Sequence, residues 1–200
     1  MDTTKPNAKQ LESVSRTLSK ILRHEPQLVG VTLDNQGWID LVELIDAIER
    51  TARVPGASKS FRSLPTITVE LIQAVVAAND KQRFSLSEDG IRIRAAQGHS
   101  VEVDLGYVSK TPPAVLYHGT AVGNWVHIQV EGLKPGSRHA VHLSAETETA
   151  RRVGARHGTP IVLIVDAAQM HADGSTFTQS DNGVWLTEHV PARYLTVLAA

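Results

Sequence analysis

Apolar and polar positions alternate with a helical period at the start of the chain. The apolar positions that recur every three or four residues are Leu11, Val14, Leu18, Ile21 and Leu22. This spacing predicts an amphipathic helix over residues 8–24. Pro26 ends it, because the residue before a proline disfavours the α conformation. The helix therefore closes on Arg23 and His24, which suit the negative end of a helix dipole and could also bind an anion.

Two more helices are predicted before residue 80. A short strand and a turn around residues 35–37 lead to a second helix, for which Asp40 is a suitable N-cap with Glu43 at capping-box spacing. Thr68 can cap a third helix. The intervening segment, residues 53–65, is rich in Pro, Gly and Ser, which predicts a surface loop.

The next stretch has the alternation of a β-hairpin. Apolar residues alternate with polar ones at 84–86 and again at 91–93, and the turn dipeptide Asp89-Gly90 lies between them. Three helices followed by a hairpin indicate a winged-helix module over residues 8–95.

From residue 108 the pattern changes to short β-rich runs. Pro112-Pro113 mark the break, and the runs that predict strands are VLYHGT, AVHLS, PIVLIVDA, GVWLT and YLTVL. Helices are predicted at 121–131 and 145–157, the second capped by Ser144. The second half is therefore predicted to be an α+β domain with a mostly antiparallel sheet.

Composition narrows the classes of function. The chain has 200 residues, no cysteine and a net charge of −1. The absence of cysteine excludes disulfides, thiolate zinc sites and cysteine nucleophiles, and it favours a reducing cytoplasm. No apolar stretch approaches a membrane span of about 20 residues, and no signal-peptide core is apparent. The charge is not that of a chain that coats nucleic acid, so any such contact should be local. A compact monomer is expected.

Basic residues are concentrated around the hairpin. They are Lys81, Arg83, Arg92 and Arg94. Such a group could contact a phosphate backbone, or it could simply keep an edge strand soluble. Charge alone favours the second interpretation.

Two histidines share a context that favours a ligand cleft. His118 in YHGT and His142 in HLS each end a predicted strand and precede small or hydroxylic residues, where a ligand can approach backbone amides. His139 and His142 have metal-ligand spacing, but on a strand they face opposite ways, and no HExxH motif is present. No metal is expected. Neither GxxxxGK[ST] nor GxGxxG occurs.

Several blocks together resemble the RNA (tRNA) 2′-phosphotransferases of the KptA type. They are LSKILRHEP, LDNQGW, DKQRFSLSEDGIRIRAAQGHS, LYHGT, GSRHAVHLS and NGVWLT, in this order over about residues 11–198. The resemblance implies an α+β fold with a winged-helix, RNA-binding lobe at 1–100 and an ADP-ribosyltransferase-like, NAD-binding lobe at 101–200.

The resemblance also implies a two-step reaction that uses NAD as a co-substrate. An internal 2′-phosphate of RNA attacks C1″ of NAD⁺ and expels nicotinamide. The ribose 2″-OH then attacks that phosphate, which releases RNA with a free 2′-OH and ADP-ribose 1″,2″-cyclic phosphate.

Catalytic roles are implied for Arg23, His24, Arg83 and Arg138. Guanidinium forks are suited to a phosphate dianion, and an imidazole titrates in the range needed to manage the ribose and RNA hydroxyl protons. We expect the three arginines to clamp the phosphate and His24 to serve the transesterification. Which proton His24 handles is left open at this stage.

The remaining blocks supply expected ligand contacts. The residues expected to contact NAD are His118, Gly119, Thr120, His142 and Ser144. The residues expected to contact RNA are Lys81, Arg94, Gln97, His99 and Ser100. Val184 occupies a position where many protein-modifying relatives have Glu to activate an acceptor, but a phosphate dianion is already a charged nucleophile.

Two alternatives stay open. One is an ADP-ribosyltransferase that modifies a nucleic-acid end or a protein and stops before transesterification. The other is a winged-helix binding protein with an inactive second lobe. The presence of all four implied catalytic residues favours the phosphotransferase over the first, and the intact YHGT and HLS blocks argue against the second.

Overall fold

The computed structural model describes residues 6–79, 82–156 and 158–199. The chain divides into two compact units, Met1–Gly106 and Tyr107–Ala200. Among the described residues, no helix combines the length and apolar character needed to cross a membrane.

The first unit is a mixture of helices and short strands. Its elements are α1 (Ala8–Arg23), β1 (Ile39–Asp40), α2 (Leu41–Arg53), α3 (Lys59–Arg62), α4 (Val69–Ala77), β2 (Phe84–Leu86) and β3 (Arg92–Ala95). The strands form an antiparallel sheet in the order β1-β3-β2. The apolar face of α1, including Leu18 and Ile21, is buried in the core of this unit.

The predicted helix caps of the first unit are confirmed. Asp40 accepts the N–H groups of Val42 and Glu43 at the start of α2, and Thr68 accepts the Leu71 N–H at the start of α4. These side chains satisfy amide groups that a first helical turn cannot pair internally.

The predicted hairpin is confirmed as β2 and β3. Phe84 lies opposite Ala95 in the register of the two strands. At the turn, Gly90 has a φ of +72°, and Asp89 accepts the Ile91 N–H at 3.0 Å. A glycine is favoured here because that backbone conformation is costly for residues with a side chain.

Two predictions about the first unit are wrong. Residues 53–65 are more than a surface loop, because they contain α3 and bury Phe61 in the core at 8% exposure. A single buried aromatic in a four-residue helix leaves no periodic signal. The order of strand and turn is also reversed: the turn closed by Asp34 and Gly37 comes first, and β1 follows it directly into α2.

The second unit has a larger share of strands. Its elements are β4 (Val115–Ala121), α5 (Trp125–Glu131), β5 (Val141–Leu143), α6 (Thr147–Gly154), β6 (Pro160–Asp166), α7 (Ala167–Ala172), β7 (Thr178–Gln179), β8 (Trp185–Thr187) and β9 (Leu195–Val197). They form antiparallel sheets in the orders β4-β6-β9 and β5-β8-β7. Tyr117 and Ser144 exchange backbone hydrogen bonds of 2.8 Å and join β4 to the end of β5.

The mixed α and β character and the antiparallel pairing are therefore confirmed, but two local predictions fail. Ser144 does not cap α6, because that helix begins only at Thr147 and has Glu146 at its N-cap position. The Ser144 hydroxyl instead accepts the Glu146 N–H at 3.0 Å in a local turn. Helix α7 was not predicted, because its six residues continue the apolar run of β6 without a break; Asp166 caps it.

Two glycines allow α6 to pack directly on β4. A Cβ on Gly119 would overlap the backbone carbonyl of Ala150, and a Cβ on Gly154 would lie 2.7 Å from the Thr120 carbonyl oxygen. Both obstructions are backbone groups, which cannot move aside without displacing a whole element. The close approach of strand and helix therefore requires glycine at both positions.

We predict that Gly119→Ala destabilises the protein by about 3 kcal/mol, because α6 must shift away from β4. Urea unfolding followed by circular dichroism measures this loss. Gly123→Ala is the matched control, since nothing lies within 4 Å of a Cβ there, and it should change stability by less than about 0.5 kcal/mol. Equal stability of the two variants would contradict the packing argument.

Candidate functional site

The C-terminal end of α1 carries the first candidate residues. Arg23 is the last helical residue, and His24 is the C-cap, whose N–H donates to the Lys20 carbonyl at 3.1 Å. Pro26 begins a short 3₁₀ turn directly afterwards. Arg23 is half-buried and His24 is exposed, so this helix end presents a cation and an imidazole side by side.

The segment after β3 returns to this helix end. The Arg23 carbonyl oxygen accepts the Ser100 N–H at 2.8 Å and the Val101 N–H at 3.3 Å. Gly98, with a φ of +86°, lets the chain turn beside Arg23, and a Cβ on it would lie 3.8 Å from Nη1. Nδ1 of His24 is 2.9 Å from Oγ of Ser100. Gly98 and Ser100 therefore lie against Arg23 and His24.

Arg83 is tied to the same region. Its carbonyl oxygen accepts the Ala96 N–H at 2.9 Å and Nη2 of Arg23 at 3.4 Å. Its own Nη1 donates to Oδ1 of Asn79 at 3.2 Å, and Nδ2 of Asn79 donates to Oγ of Ser15 on α1 at 3.2 Å. We call Arg23, His24, Arg83 and Ser100 the helix-end cluster.

Two other residues expected to contact RNA, Arg94 and His99, have different surroundings. Arg94 is 9% exposed, donates to the Leu105 carbonyl at 3.1 Å, and stacks on Trp38 with its guanidinium carbon 4.6 Å from the ring centre. It therefore stabilises the fold of the first unit. His99 is buried beside Gly37. Lys81 lies outside the described residues.

In the second unit, His118 is oriented by the backbone of β5. Its Nδ1 is 3.0 Å from the carbonyl oxygen of His142. A carbonyl oxygen can only accept a hydrogen bond, so Nδ1 carries the hydrogen and donates it. In the neutral ring Nε2 is then the acceptor. His142 thus contributes its backbone to the position of the His118 ring.

His118 is held in the neutral form by its surroundings. Burial lowers the pKa of His118 below its ordinary value, and the positive charge of Arg138 lowers it further, while the hydrogen bond to the His142 carbonyl opposes both. Because burial is the largest cause, desolvation of the charged ring dominates. Arg138 itself is exposed, in the turn that precedes β5.

The other residues expected to contact NAD divide by face along β4. Thr120 lies two positions from His118 and so shares its face; its Oγ1 accepts Nδ2 of Asn124 at 2.9 Å. Gly119 faces α6, where its lack of a side chain is needed for packing. The Ser144 hydroxyl is engaged in the turn with Glu146. Cofactor contacts by these residues stay predictions.

Two asparagines orient candidate residues without any sequence signal. Asn79 holds the Arg83 guanidinium and Asn124 holds the Thr120 hydroxyl. Each asparagine lies four positions from its partner, at the end of a helix. Asparagine is common at helix ends because it caps them, so its presence there did not indicate a second role. Among the described residues, no group of three or more His, Asp and Glu side chains is arranged to hold a metal ion.

The two sets of residues offer complementary chemistry. The helix-end cluster provides guanidinium donors for an anion and an exposed imidazole for proton transfer. His118 provides a neutral hydrogen-bond acceptor, Nε2, in a partly buried position on β4. A phosphate suits the first set, and a ligand with hydroxyl groups suits the second.

A family model and several known proteins match this chain over most of its length. The model of the family described as RNA 2′-phosphotransferase, Tpt1/KptA family, matches residues 9–189. A probable RNA 2′-phosphotransferase of Agrobacterium fabrum is 52% identical over 187 residues, which is 94% of each chain. The probable RNA 2′-phosphotransferase of Pseudomonas aeruginosa is 50% identical, over 94% of this chain and 97% of its own. That of Streptomyces coelicolor is 51% identical, over 91% of this chain and 92% of its own. The chain therefore belongs to the RNA 2′-phosphotransferase family.

Proposed function

We propose that this protein is a transferase that removes an internal 2′-phosphate from RNA, with NAD⁺ as the phosphate acceptor. The observation that carries the proposal is the family match over residues 9–189, which includes the helix-end cluster and Arg138. Names of relatives at about 50% identity support the RNA substrate. NAD⁺ use, and action as a cytoplasmic monomer, are parts of the proposal.

We assign RNA to the first unit, as a winged-helix lobe. The assignment is supported by the order of its elements, in which α1, β1, α2 and α4 precede the hairpin of β2 and β3. Three helices with a strand-paired wing present basic side chains in several nucleic-acid-binding modules. Arg23 and Arg83 lie in this unit and contact one another, and the Arg23 carbonyl also accepts the Ser100 N–H.

Arg23 and Arg83 are assigned to bind the RNA 2′-phosphate. Both guanidinium groups are held by hydrogen bonds to fixed partners, the Arg83 carbonyl and the Asn79 side chain. A preorganised guanidinium loses little side-chain entropy when it binds an anion. Such donors also stabilise the charge that builds on phosphorus during transesterification. Arg138 is assigned a phosphate-binding role in the same reaction.

We assign NAD⁺ to the second unit, as an ADP-ribosyltransferase-like lobe. Nε2 of His118 is an acceptor because Nδ1 donates to the His142 carbonyl, and a ribose hydroxyl of NAD⁺ is a donor that fits it. The neighbouring Thr120 shares the same face of β4. The remaining contacts are assigned to the backbone of Gly119 and to His142 and Ser144.

The reaction follows in two steps with these assignments. A phosphate oxygen of the RNA bonds to C1″ as the bond to nicotinamide breaks, which leaves a phospho-ADP-ribosylated RNA. The 2″-oxygen then bonds to phosphorus, its proton passes to His24, and the bond between phosphorus and the RNA 2′-oxygen breaks. Water supplies the proton that converts this oxygen to a hydroxyl.

The test is to incubate the purified protein with a short RNA that carries one internal 2′-phosphate, with and without NAD⁺, and to follow the RNA by mass. NAD⁺-dependent loss of the phosphate with release of ADP-ribose cyclic phosphate is the expected result. A stable gain of ADP-ribose would instead indicate an ADP-ribosyltransferase that stops after one step. No change in mass would reject both enzymes in favour of a binding protein.

His24→Ala and Arg138→Ala should each allow phospho-ADP-ribosylated RNA to accumulate. Loss of the proton acceptor, or of charge stabilisation at phosphorus, should slow the second step by about 100-fold. Gel separation of the RNA species over time measures this. His127→Ala and Arg16→Ala, exposed substitutions on α5 and α1, are the controls. Normal product release by the site variants would refute the assigned roles.

Arg83→Lys should be nearly as harmful as Arg83→Ala. A lysine keeps the charge, but it lacks the planar guanidinium group that can donate to Asn79 and to a phosphate at the same time. We expect at least a tenfold loss of kcat/KM for the 2′-phosphorylated RNA. Arg16→Lys, which replaces an exposed arginine that pairs with Glu12, is the control. Full activity of Arg83→Lys would mean that charge alone suffices.

Affinity for NAD⁺ should fall as the solution becomes acidic. The pKa of His118 is lowered from its ordinary 6.5, so the neutral ring predominates at pH 6.5 and its Nε2 accepts. Below the lowered pKa the ring is protonated, Nε2 becomes a donor, and the contact is lost. Calorimetric titration with NAD⁺ at a series of pH values from 6.5 downwards measures the loss of affinity.

His118→Gln should bind NAD⁺ more weakly and lose most of this pH dependence, whereas His127→Gln, an exposed change on α5, should keep it. Affinity that increases on acidification, or an unchanged pH profile in His118→Gln, would show that His118 does not contact NAD⁺.

A further inference from the structure

Ser100 contacts two groups at the end of α1. Its Oγ lies 2.9 Å from Nδ1 of His24 and 3.5 Å from the carbonyl oxygen of Arg23. Its backbone N–H donates to the same carbonyl at 2.8 Å. The main chain of Ser100 is therefore held at the end of α1, and its hydroxyl lies one hydrogen-bond length from the imidazole.

Only one arrangement of hydrogens satisfies both contacts of the Ser100 hydroxyl. The Arg23 carbonyl can only accept, and a serine hydroxyl has one hydrogen and two lone pairs. If the hydroxyl hydrogen points to Arg23, its oxygen accepts from Nδ1, which must then carry a hydrogen. Nδ1 keeps this bond when the ring is neutral and when it is protonated.

We propose that Ser100 is a positioning residue that holds His24 in the tautomer with hydrogen on Nδ1. This assigns Nε2 as the nitrogen that exchanges protons with the substrate. The catalytic part of this inference rests on the proposed function, in which His24 is the base that takes the 2″-OH proton. That proton is then received by Nε2. The assignment of the tautomer itself depends only on contacts within the first unit.

In the second step, the 2″-oxygen forms its bond to phosphorus while its proton moves to Nε2 of His24. The resulting imidazolium is stabilised at Nδ1 by the Ser100 oxygen, and it later returns the proton to water. The wrong tautomer has hydrogen on Nε2 and cannot accept, so His24 would be present but inactive in that fraction of molecules.

The first test measures the tautomer in the protein without any substrate. Nitrogen-15 NMR of imidazole-labelled protein distinguishes a protonated ring nitrogen from one with a lone pair, and the spectrum of His24→Gln identifies the His24 signals. We expect a protonated Nδ1 and an unprotonated Nε2 at slightly alkaline pH. Ser100→Ala should give a mixture of tautomers, and Ser100→Thr should restore the original state.

The second test measures the two chemical steps separately. Ser100→Ala should slow resolution of phospho-ADP-ribosylated RNA by about 10- to 100-fold, while the release of nicotinamide in the first step changes less than twofold. Ser100→Thr should recover most of the rate, because it keeps the hydroxyl. Ser63→Ala, an exposed change at the end of α3, is the control for loss of a surface hydroxyl.

The outcomes separate this inference from the proposed function. A hydrogen on Nε2 of His24 in the unaltered protein would overturn the tautomer, whatever the protein catalyses. A normal second step in Ser100→Ala would overturn the positioning role. If the unaltered protein failed to remove a 2′-phosphate while the tautomer was as expected, the proposed function would fail and the Ser100–His24 arrangement would stand.

Discussion

The carbonyl oxygen of Arg23 is the acceptor on which the helix-end cluster depends. It lies in the last turn of α1, where carbonyl groups have no partner within the helix. Two amides from the segment after β3 supply the missing donors, those of Ser100 and Val101. Because an unpaired backbone carbonyl is costly, closing this helix end brings a distant part of the chain to His24. Stability and the assembly of candidate catalytic residues therefore have the same cause.

The packing of α6 on β4 is a comparable constraint in the second unit. Gly119 and Gly154 allow the helix backbone to contact the strand directly. One face of β4 is thereby committed to packing, and the side chains of His118 and Thr120 are left on the other face. The YHGT block therefore combines two requirements. Its glycine is needed for the fold, and its histidine carries the acceptor atom to which we assign NAD⁺.

The sequence predicted those parts of the fold that local signals determine. Asp40 and Thr68 are caps whose partners lie two or three residues away, and the hairpin around Gly90 follows from alternation and a turn dipeptide. The predictions failed where tertiary contacts determine which residues are buried and where an element begins. Phe61 is buried by packing against distant residues, and α7 follows β6 without a polar break. Ser144 has the chemistry of a cap but lies too early to cap α6.

In the candidate site, too, the sequence indicated residues but not the tertiary contacts between them. Resemblance to a family pointed to the blocks that contain Arg23, His24 and Arg83, but it did not show which atoms meet. The contact between His24 and Ser100 spans 76 residues of sequence, and that between Arg23 and Arg83 spans 60. No periodicity or spacing can reveal such pairs. Asn79 was missed for a related reason, since its importance lies in tertiary side-chain contacts, with Arg83 and with Ser15.

The two histidines at the centre of the proposed chemistry differ in one physical property. Each has Nδ1 within hydrogen-bond distance of an oxygen, the His142 carbonyl for His118 and the Ser100 hydroxyl for His24. The His118 ring is partly buried, so desolvation lowers its pKa and favours the neutral form. The His24 ring is exposed, so water can stabilise its charge. A ring that must stay an acceptor is best buried, and a ring that must gain and lose a proton is best exposed. This difference in burial is the physical reason to give His118 a binding role and His24 a catalytic one.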